Sequence, residues 1–113
     1  MSIVGVAPFP YDGPESLRAS IGAALQRVVD PELALSIVDA GLVCAVTVTP
    51  QRLHALLTMT SPACPVADLI VEEAAVELDR VAPAGMAVDV ELAWVPAWTA
   101  DRMSARAKAF MGW

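Results

Sequence analysis

The sequence predicts a single α+β domain of two layers, with a three-stranded sheet that carries its helices mainly on one face. Three segments alternate apolar and polar residues as half-buried strands do, and each has one apolar face. Three other segments repeat apolar residues at helical spacing. A length of 113 residues suits one domain. The predicted order is α-β-β-α-β-α.

The first predicted helix follows an irregular N-terminal stretch. Residues 1–13 contain two glycines and two prolines without a clear period, so we expect a flexible lead-in, with the domain itself spanning 14–113. Pro14 suits the first position of a helix, and Pro31 forces its end near residue 29 or 30. The apolar stripe of this helix is Leu17, Ile21, Leu25 and Val28.

The first two predicted strands, residues 42–49 and 53–60, form a hairpin. Pairing Val48 with Leu53 puts their apolar faces on the same side, whereas a slip by one residue would oppose them. This register places Cys44 opposite Leu57 in the core, where we expect it to serve packing.

The other face of this hairpin is more polar. Val43 and Leu56 lie on it, and a homodimer contact would rest on these two residues. His54 also lies there, without a histidine or cysteine nearby in sequence, so we assign it no metal role.

The second half of the chain supplies a helix over 65–81, a strand over 86–94 and a final helix capped by Thr99. Glycine and proline at 83–85 separate the first two. The residues predicted to face the core are Val66, Leu69, Ile70, Ala74, Leu78 and Val81 in the helix, Met86, Val88, Val90, Leu92 and Trp94 in the strand, and Met103, Ala107, Phe110 and Met111 in the final helix.

Composition excludes several classes of function. A net charge of −6 argues against binding to nucleic acid. No apolar stretch is long enough to cross a membrane, and the N-terminus lacks the pattern of a signal peptide. Two cysteines do not make a disulfide scaffold. We therefore expect a soluble protein of a reducing cytoplasm.

The stretch from Leu57 to Ile70 changes from strand to helix, with Cys64 at the junction. The helix begins either at Ser61, followed by Pro62, or at Cys64, followed by Pro65. In both cases the sulfur lies near free N–H groups and the positive end of a helix dipole, which stabilise a thiolate. A small buried residue at a tight corner is an equally compatible interpretation of Cys64.

A loop with three carboxylates precedes the first strand. Asp30, Glu32 and Asp39 lie among apolar residues, and Gly41 closes a short turn. Taken singly, Asp30 is best explained as a turn cap and Asp39 as an acceptor for nearby backbone amides.

Four motifs, in series, resemble the metal–sulfur cluster biosynthetic family, whose bacterial members are called SufT and PaaD-like and whose eukaryotic relatives serve cytosolic iron–sulfur protein assembly. The resemblance covers roughly residue 14 to the end. The motifs are Val29-Asp30-Pro31-Glu32-Leu33, Ser36-Ile37-Val38-Asp39-Ala40-Gly41-Leu42-Val43, Leu57-Thr58-Met59-Thr60-Ser61-Pro62-Ala63-Cys64-Pro65 and Pro96-Ala97-Trp98-Thr99.

The resemblance implies a compact α/β domain that helps to mature iron–sulfur proteins as a carrier or targeting factor rather than as an enzyme. The family's characteristic cysteine falls on Cys64. Its acidic pair falls on Asp30 and Glu32, and its loop aspartate on Asp39. Its hydroxyl-rich segment falls on Thr58, Thr60 and Ser61. We expect at least one of the three carboxylates to share a shallow pocket with Cys64.

Two positions depart from the family pattern. Ala40 replaces the usual leucine, which we expect to affect packing alone. PaaD proper carries a cysteine-rich C-terminal extension, whereas this sequence ends at Trp113 without one. A PaaD-specific role in assembling a phenylacetyl-CoA oxygenase is therefore not expected.

The chemistry of the donors limits the mechanism. Iron–sulfur clusters generally need several thiolate or imidazole ligands, and Cys64 is the one good candidate here. A transient iron–sulfur cluster or iron would thus need a second subunit, a partner protein or a small thiol to complete its ligands, and the monomer would hold none stably. The expected partners are the iron–sulfur assembly machinery and apo client proteins.

Two alternatives stay open. One is a protein-interaction adaptor for an oxygenase or another metalloenzyme, in which Cys64 is structural. The other is a thiol enzyme with Cys64 as nucleophile, which the sequence disfavours because His54 is not evidently placed as a base.

Overall fold

The computed structural model describes residues 9–60, 66–94 and 98–112. It confirms a mixed α+β fold in which helices pack against a sheet. The elements are β1 (Tyr11–Asp12), α1 (Glu15–Gln26), β2 (Val29–Asp30), β3 (Leu35–Ser36), β4 (Val43–Val48), β5 (Arg52–Leu57), α2 (Ala67–Val81), β6 (Ala87–Leu92), a 3₁₀ turn (Ala100–Arg102) and α3 (Ala105–Met111).

The main sheet has the order β1-β4-β5-β6. Strands β4 and β5 form the predicted hairpin, and Val48 pairs with Leu53 as expected. Helix α2 then carries the chain to β6, which pairs with β5 in parallel. Because β5 and β6 run in the same direction and antiparallel to β4, both strands finish at the end of the sheet where β4 begins.

Four strands rather than three make up this sheet. The additional strand, β1, pairs with β4 in parallel and extends the sheet on that side. Phe9, just before it, is buried. A two-residue strand between Pro10 and Gly13 is too short to show alternation, so the sequence did not reveal it. Residues 1–8 of the predicted flexible lead-in lie outside the described part of the chain.

The loop that carries Asp30 also contains an unpredicted small ribbon. Strands β2 and β3 pair antiparallel, with Asp30 opposite Leu35. The turn between them includes Ala34 with φ of 58°, a left-handed conformation that is uncommon for a residue with a side chain. Two-residue strands again leave no periodic signal in the sequence.

The core lies between the sheet and helices α1 and α2, and most of it was predicted correctly. Ile21 and Leu25 of α1, and Ile70 and Leu78 of α2, are fully buried. Leu69 was expected inside, but its exposed fraction is 48%. It neighbours Ile70 at about 100° around the helix, and Ile70 takes the inward direction.

A β-bulge in β4 overturns two side-chain assignments. The pairing with β5 shifts between Val43 and Ala45, so Val43, and not Cys44, lies opposite Leu57. Val43 is buried, and Cys44 is only partly buried. The extra residue of a bulge rotates the strand locally, which a strict two-residue period does not anticipate. Of the two residues proposed for a homodimer contact, Val43 is therefore unavailable.

The end of the chain also differs from prediction. A 3₁₀ turn follows Thr99, and α3 begins only after Ser104, whose side chain accepts a hydrogen bond from the N–H of Ala107. Met103 and Ala107 are buried as expected, but Phe110 is 69% exposed. Trp94, predicted to face the core, is also exposed because β6 ends at Leu92. Among the described helices, none is long and apolar enough to cross a membrane.

Candidate functional site at one end of the sheet

Three successive backbone hydrogen bonds join the Asp30 segment to the segment that leads towards Cys64. The N–H of Ile37 donates to the carbonyl of Val28, and the N–H of Leu42 donates to the carbonyl of Ile37. The N–H of Thr58, the first residue after β5, donates in turn to the carbonyl of Leu42 at 2.8 Å. The carboxylate loop and the residues after β5 therefore meet at the same end of the sheet.

Asp30 is the most deeply buried charged residue of this end, with 1% of its surface exposed. Its Oδ1 accepts a hydrogen bond of 2.8 Å from the N–H of Glu32, as in an Asx turn. Its Oδ2 has no hydrogen-bond partner among the residues that the structure describes. Burial of an unpaired carboxylate oxygen is costly, so such an atom is typical of a functional site rather than of a packing role.

Thr58 repeats this arrangement on the other side of the site. Its exposed fraction is 1%, and its Oγ1 finds no hydrogen-bond partner within the described ranges. Thr58 and Asp30 are the two described residues with such a buried, unpaired side-chain atom. Both were singled out by the family motifs, and both lie on segments joined by the same hydrogen-bonded backbone.

The remaining residues of the predicted site are only partly described. Glu32 is exposed on the turn that Asp30 caps, and Thr60 is partly buried after Thr58. Ser61 and Cys64 lie outside the described residues. The proximity of Cys64 to the carboxylates, and the exposure of its thiol, therefore stay predictions.

Asp39 has a different environment, which the sequence did not predict. Its Oδ1 accepts a hydrogen bond of 3.0 Å from the Ser104 hydroxyl, and its Oδ2 forms an ion pair of 2.6 Å with Arg106. Its own N–H donates to the Ser36 hydroxyl. Both carboxylate oxygens are thus engaged, and Asp39 fastens the C-terminal segment to the loop before β4.

Two further contacts strengthen this attachment. The indole N–H of Trp98 donates to the carbonyl of Ala40 at 2.7 Å, and Nε of Arg102 donates to the carbonyl of Gly41 at 2.9 Å. Trp98 and Gly41 both lie in the family motifs, but the motifs did not predict that these two segments meet. A pocket of about 250 Å³ lies beside them, with Asp39, Arg106 and Phe110 in its wall.

The described residues do not supply a cluster-binding set of thiolates. Cys44, on the bulged strand β4, is their only cysteine. Its sulfur lies 3.7 Å from a guanidinium nitrogen of Arg102. Iron–sulfur clusters require several sulfur or imidazole ligands. Asp30 and Glu32 offer oxygen donors, which suit harder metal ions.

A second polar group occupies the opposite, outer face of the sheet. His54 Nε2 lies 2.9 Å from Oε1 of Glu91 and 3.7 Å from Oδ2 of Asp89. The sequence argument missed it because the carboxylates come from β6, 35 or more positions further along the chain. Only the parallel pairing of β5 with β6 brings the three side chains together.

Comparison with known proteins gives the same assignment as the motifs. A family model described as "Iron-sulfur cluster assembly protein" matches residues 18–92. The chain is 41% identical over 99 residues to the Fe-S protein maturation auxiliary factor YitW of Bacillus subtilis, a match that covers 87% of this chain and 96% of the relative. It is 36% identical over 86 residues to the Fe-S protein maturation auxiliary factor SufT of Staphylococcus aureus, covering 75% and 97%.

A solved structure shares the fold. The crystal structure of a domain of unknown function, DUF59, from Bacillus anthracis superposes with a TM-score of 0.79 at 36% identity, over 87% of this chain and 93% of the other. The family match includes the buried Asp30, Thr58 and the sheet end that joins them. The chain belongs to the iron–sulfur cluster assembly protein family.

Proposed function

We propose that this chain is a non-catalytic auxiliary factor in the maturation of iron–sulfur proteins, which handles a cluster or iron transiently through Cys64. The relatives named as maturation auxiliary factors support the functional class. The observation that carries the location is the pair of buried, unpaired oxygens of Asp30 and Thr58, both described at the end of the sheet from which the chain leads to Cys64.

The proposed mechanism assigns different tasks to sulfur and oxygen. Cys64 supplies one soft ligand to the cargo, and a second subunit, a partner protein or a small thiol supplies the others. Asp30, held by the turn to Glu32, offers a carboxyl oxygen as a harder ligand for iron. A single protein thiolate binds weakly enough for the cargo to leave, as transfer to a client requires.

The partners follow from this division. We propose that the chain contacts iron–sulfur assembly proteins and apo clients, in the reducing cytoplasm where Cys64 stays a free thiol. Two copies of the chain could also share a cluster, which would make the homodimer a form that depends on cargo.

The test is anaerobic transfer to a bacterial apo-ferredoxin. The chain is incubated with ferrous iron, sulfide and dithiothreitol, and this mixture is added to the recipient, whose visible absorption reports cluster acquisition. We expect Cys64→Ser to abolish the gain over a protein-free control and Cys44→Ser, the matched control, to retain it. Transfer by Cys64→Ser at the wild-type rate would contradict the role of Cys64 and favour an adaptor that only binds clients.

A further inference from the structure

The outer face of the sheet carries a cluster of potential metal ligands that lie outside the family motifs. Strands β5 and β6 pair in parallel with His54 opposite Asp89 and Leu56 opposite Glu91. Side chains two residues apart on a strand share a face, so Asp89 and Glu91 both project beside His54. We call these three residues, His54, Asp89 and Glu91, the outer-face cluster.

The donor atoms of the outer-face cluster are close enough to share one ion. One atom from each residue can be chosen so that all three lie within 4.8 Å of one another. Bonds of about 2.0–2.2 Å from nitrogen and oxygen to a first-row metal place neighbouring ligand atoms about 3.4 Å apart in a tetrahedral shell. The 2.9 Å from His54 to Glu91 and the 3.7 Å from His54 to Asp89 bracket this value.

We propose that the outer-face cluster is a site for an exchangeable divalent transition-metal ion, of the class of Zn²⁺, Co²⁺ or Fe²⁺. One imidazole and two carboxylates neutralise the ion's charge and suit metals of borderline softness. His54 and Asp89 are partly exposed and Glu91 is exposed, and His54 and Glu91 line a groove of about 430 Å³ whose wall includes Thr47. Three protein ligands leave at least one coordination position for water or for an outside donor.

Arg52 sets the strength of this site. Its guanidinium forms an ion pair with Asp89 and also lines the groove. A fixed positive charge at this position repels a metal ion and competes for one of its ligands. Arg52 thus lowers the metal affinity of the outer-face cluster. A low affinity suits an exchangeable ion rather than a structural one.

The test is calorimetric titration of the full chain with Zn²⁺, in a background of Cys44→Ser and Cys64→Ser so that no thiol binds the metal. We expect saturable binding with one site. His54→Ala or Glu91→Gln should weaken it at least about tenfold, because even indirect partners of a metal ligand contribute about 10- to 100-fold. Asp79→Asn, an exposed carboxylate on α2, is the charge-matched control and should leave binding unchanged.

The Arg52→Gln variant makes the proposal more specific. It should tighten Zn²⁺ binding, whereas a merely nonspecific acidic surface would gain little and would retain binding in His54→Ala. Circular dichroism checks that each variant is folded. If His54→Ala does not fold, Glu91→Gln alone tests the loss of a ligand. Absence of saturable binding in the thiol-free background, or equal binding in the Glu91→Gln variant, would overturn the proposal. Neither result bears on cluster transfer through Cys64.

Discussion

At the scale of single residues, the two buried oxygens without described partners distinguish this end of the sheet from an ordinary core. A folded protein rarely leaves such atoms unpaired, because each costs about 1–3 kcal/mol relative to a satisfied group. Among the described residues, Asp30 and Thr58 are the two with such an atom, and they lie at the sheet end nearest to the segment that carries Cys64. We interpret this cost as stability given up for function.

This interpretation predicts that Thr58→Val does not destabilise the protein. Valine has the same shape and removes the buried hydroxyl, so the free energy of unfolding should stay equal or rise by about 1 kcal/mol. Cluster transfer to the apo-ferredoxin should fall. Urea denaturation and the transfer assay measure the two effects. A loss of stability above about 1 kcal/mol would mean that the Thr58 hydroxyl has a structural partner.

Gly41 is the other residue on which the site's geometry depends. Its φ is 76°, and a Cβ placed there would lie 2.2 Å from the carbonyl oxygen of Arg102. Gly41→Ala should therefore cost more than about 2 kcal/mol, since the left-handed conformation alone costs roughly 1–2 kcal/mol. Gly85→Ala is the matched control, because Gly85 also has a positive φ but its Cβ would meet open space. Equal losses in the two variants would show that the approach of Arg102 does not matter.

At the scale of elements, helices α1 and α2 are joined by a hydrogen-bonded ion pair on their surface. Arg27, just after α1, donates from Nε to Glu77 of α2 at 2.8 Å. This hydrogen bond lowers the pKa of Glu77 below the usual value for a glutamate. A carboxyl group with a lowered pKa in the folded state stabilises the protein above its unfolded pKa and loses this contribution as the pH falls through the folded value.

We therefore predict a pH-dependent effect of Glu77→Gln. The variant should be less stable than wild type at pH 7, and the difference should shrink as the pH falls below 4.5. Thermal unfolding at a series of pH values measures it, with Asp79→Asn on the same helix as a control. A difference that persists unchanged into acid would show that the Arg27–Glu77 pair is not its source.

Elements with a long periodic signal were predictable from sequence, and short ones were not. The stripe through Ile21 and Leu25 and the Val48–Leu53 register follow from periods that the sequence displays over many residues. Strand β1 and the β2–β3 ribbon have two residues each, below the length at which a period exists. The bulge at Cys44 depends on the partner strand, and one segment alone does not encode it.

At the scale of the whole molecule, the contacts that shape the site join distant parts of the chain. Asp39 is fastened by Ser104 and Arg106, more than 60 positions away, and His54 meets Glu91 only through the pairing of β5 with β6. Sequence motifs identified Asp30 and Thr58 because each lies within a short local pattern. They did not reveal the C-terminal attachment or the outer-face cluster, whose members share no local pattern.

The whole fold has one consequence for Cys64. Strand β5 ends at the sheet end that holds Asp30, and α2 begins at Ala67 with Val66 as its N-cap, which is later than the start at Ser61 or Cys64 that the sequence predicted. Free N–H groups at the start of a helix favour a thiolate, whereas a carboxylate close to Cys64 would oppose it. We expect the helix contribution to prevail and the thiol to be accessible.

The most direct test is the alkylation rate of Cys64 against pH, measured by mass spectrometry with iodoacetamide in a Cys44→Ala background. The account predicts that the folded chain is labelled, with a titration midpoint below the value of about 8.5 typical of a free cysteine. Asp30→Asn should lower the midpoint further if the carboxylate lies close. A midpoint at or above about 8.5, or no labelling of the folded chain, would contradict a working thiolate at this end of the sheet.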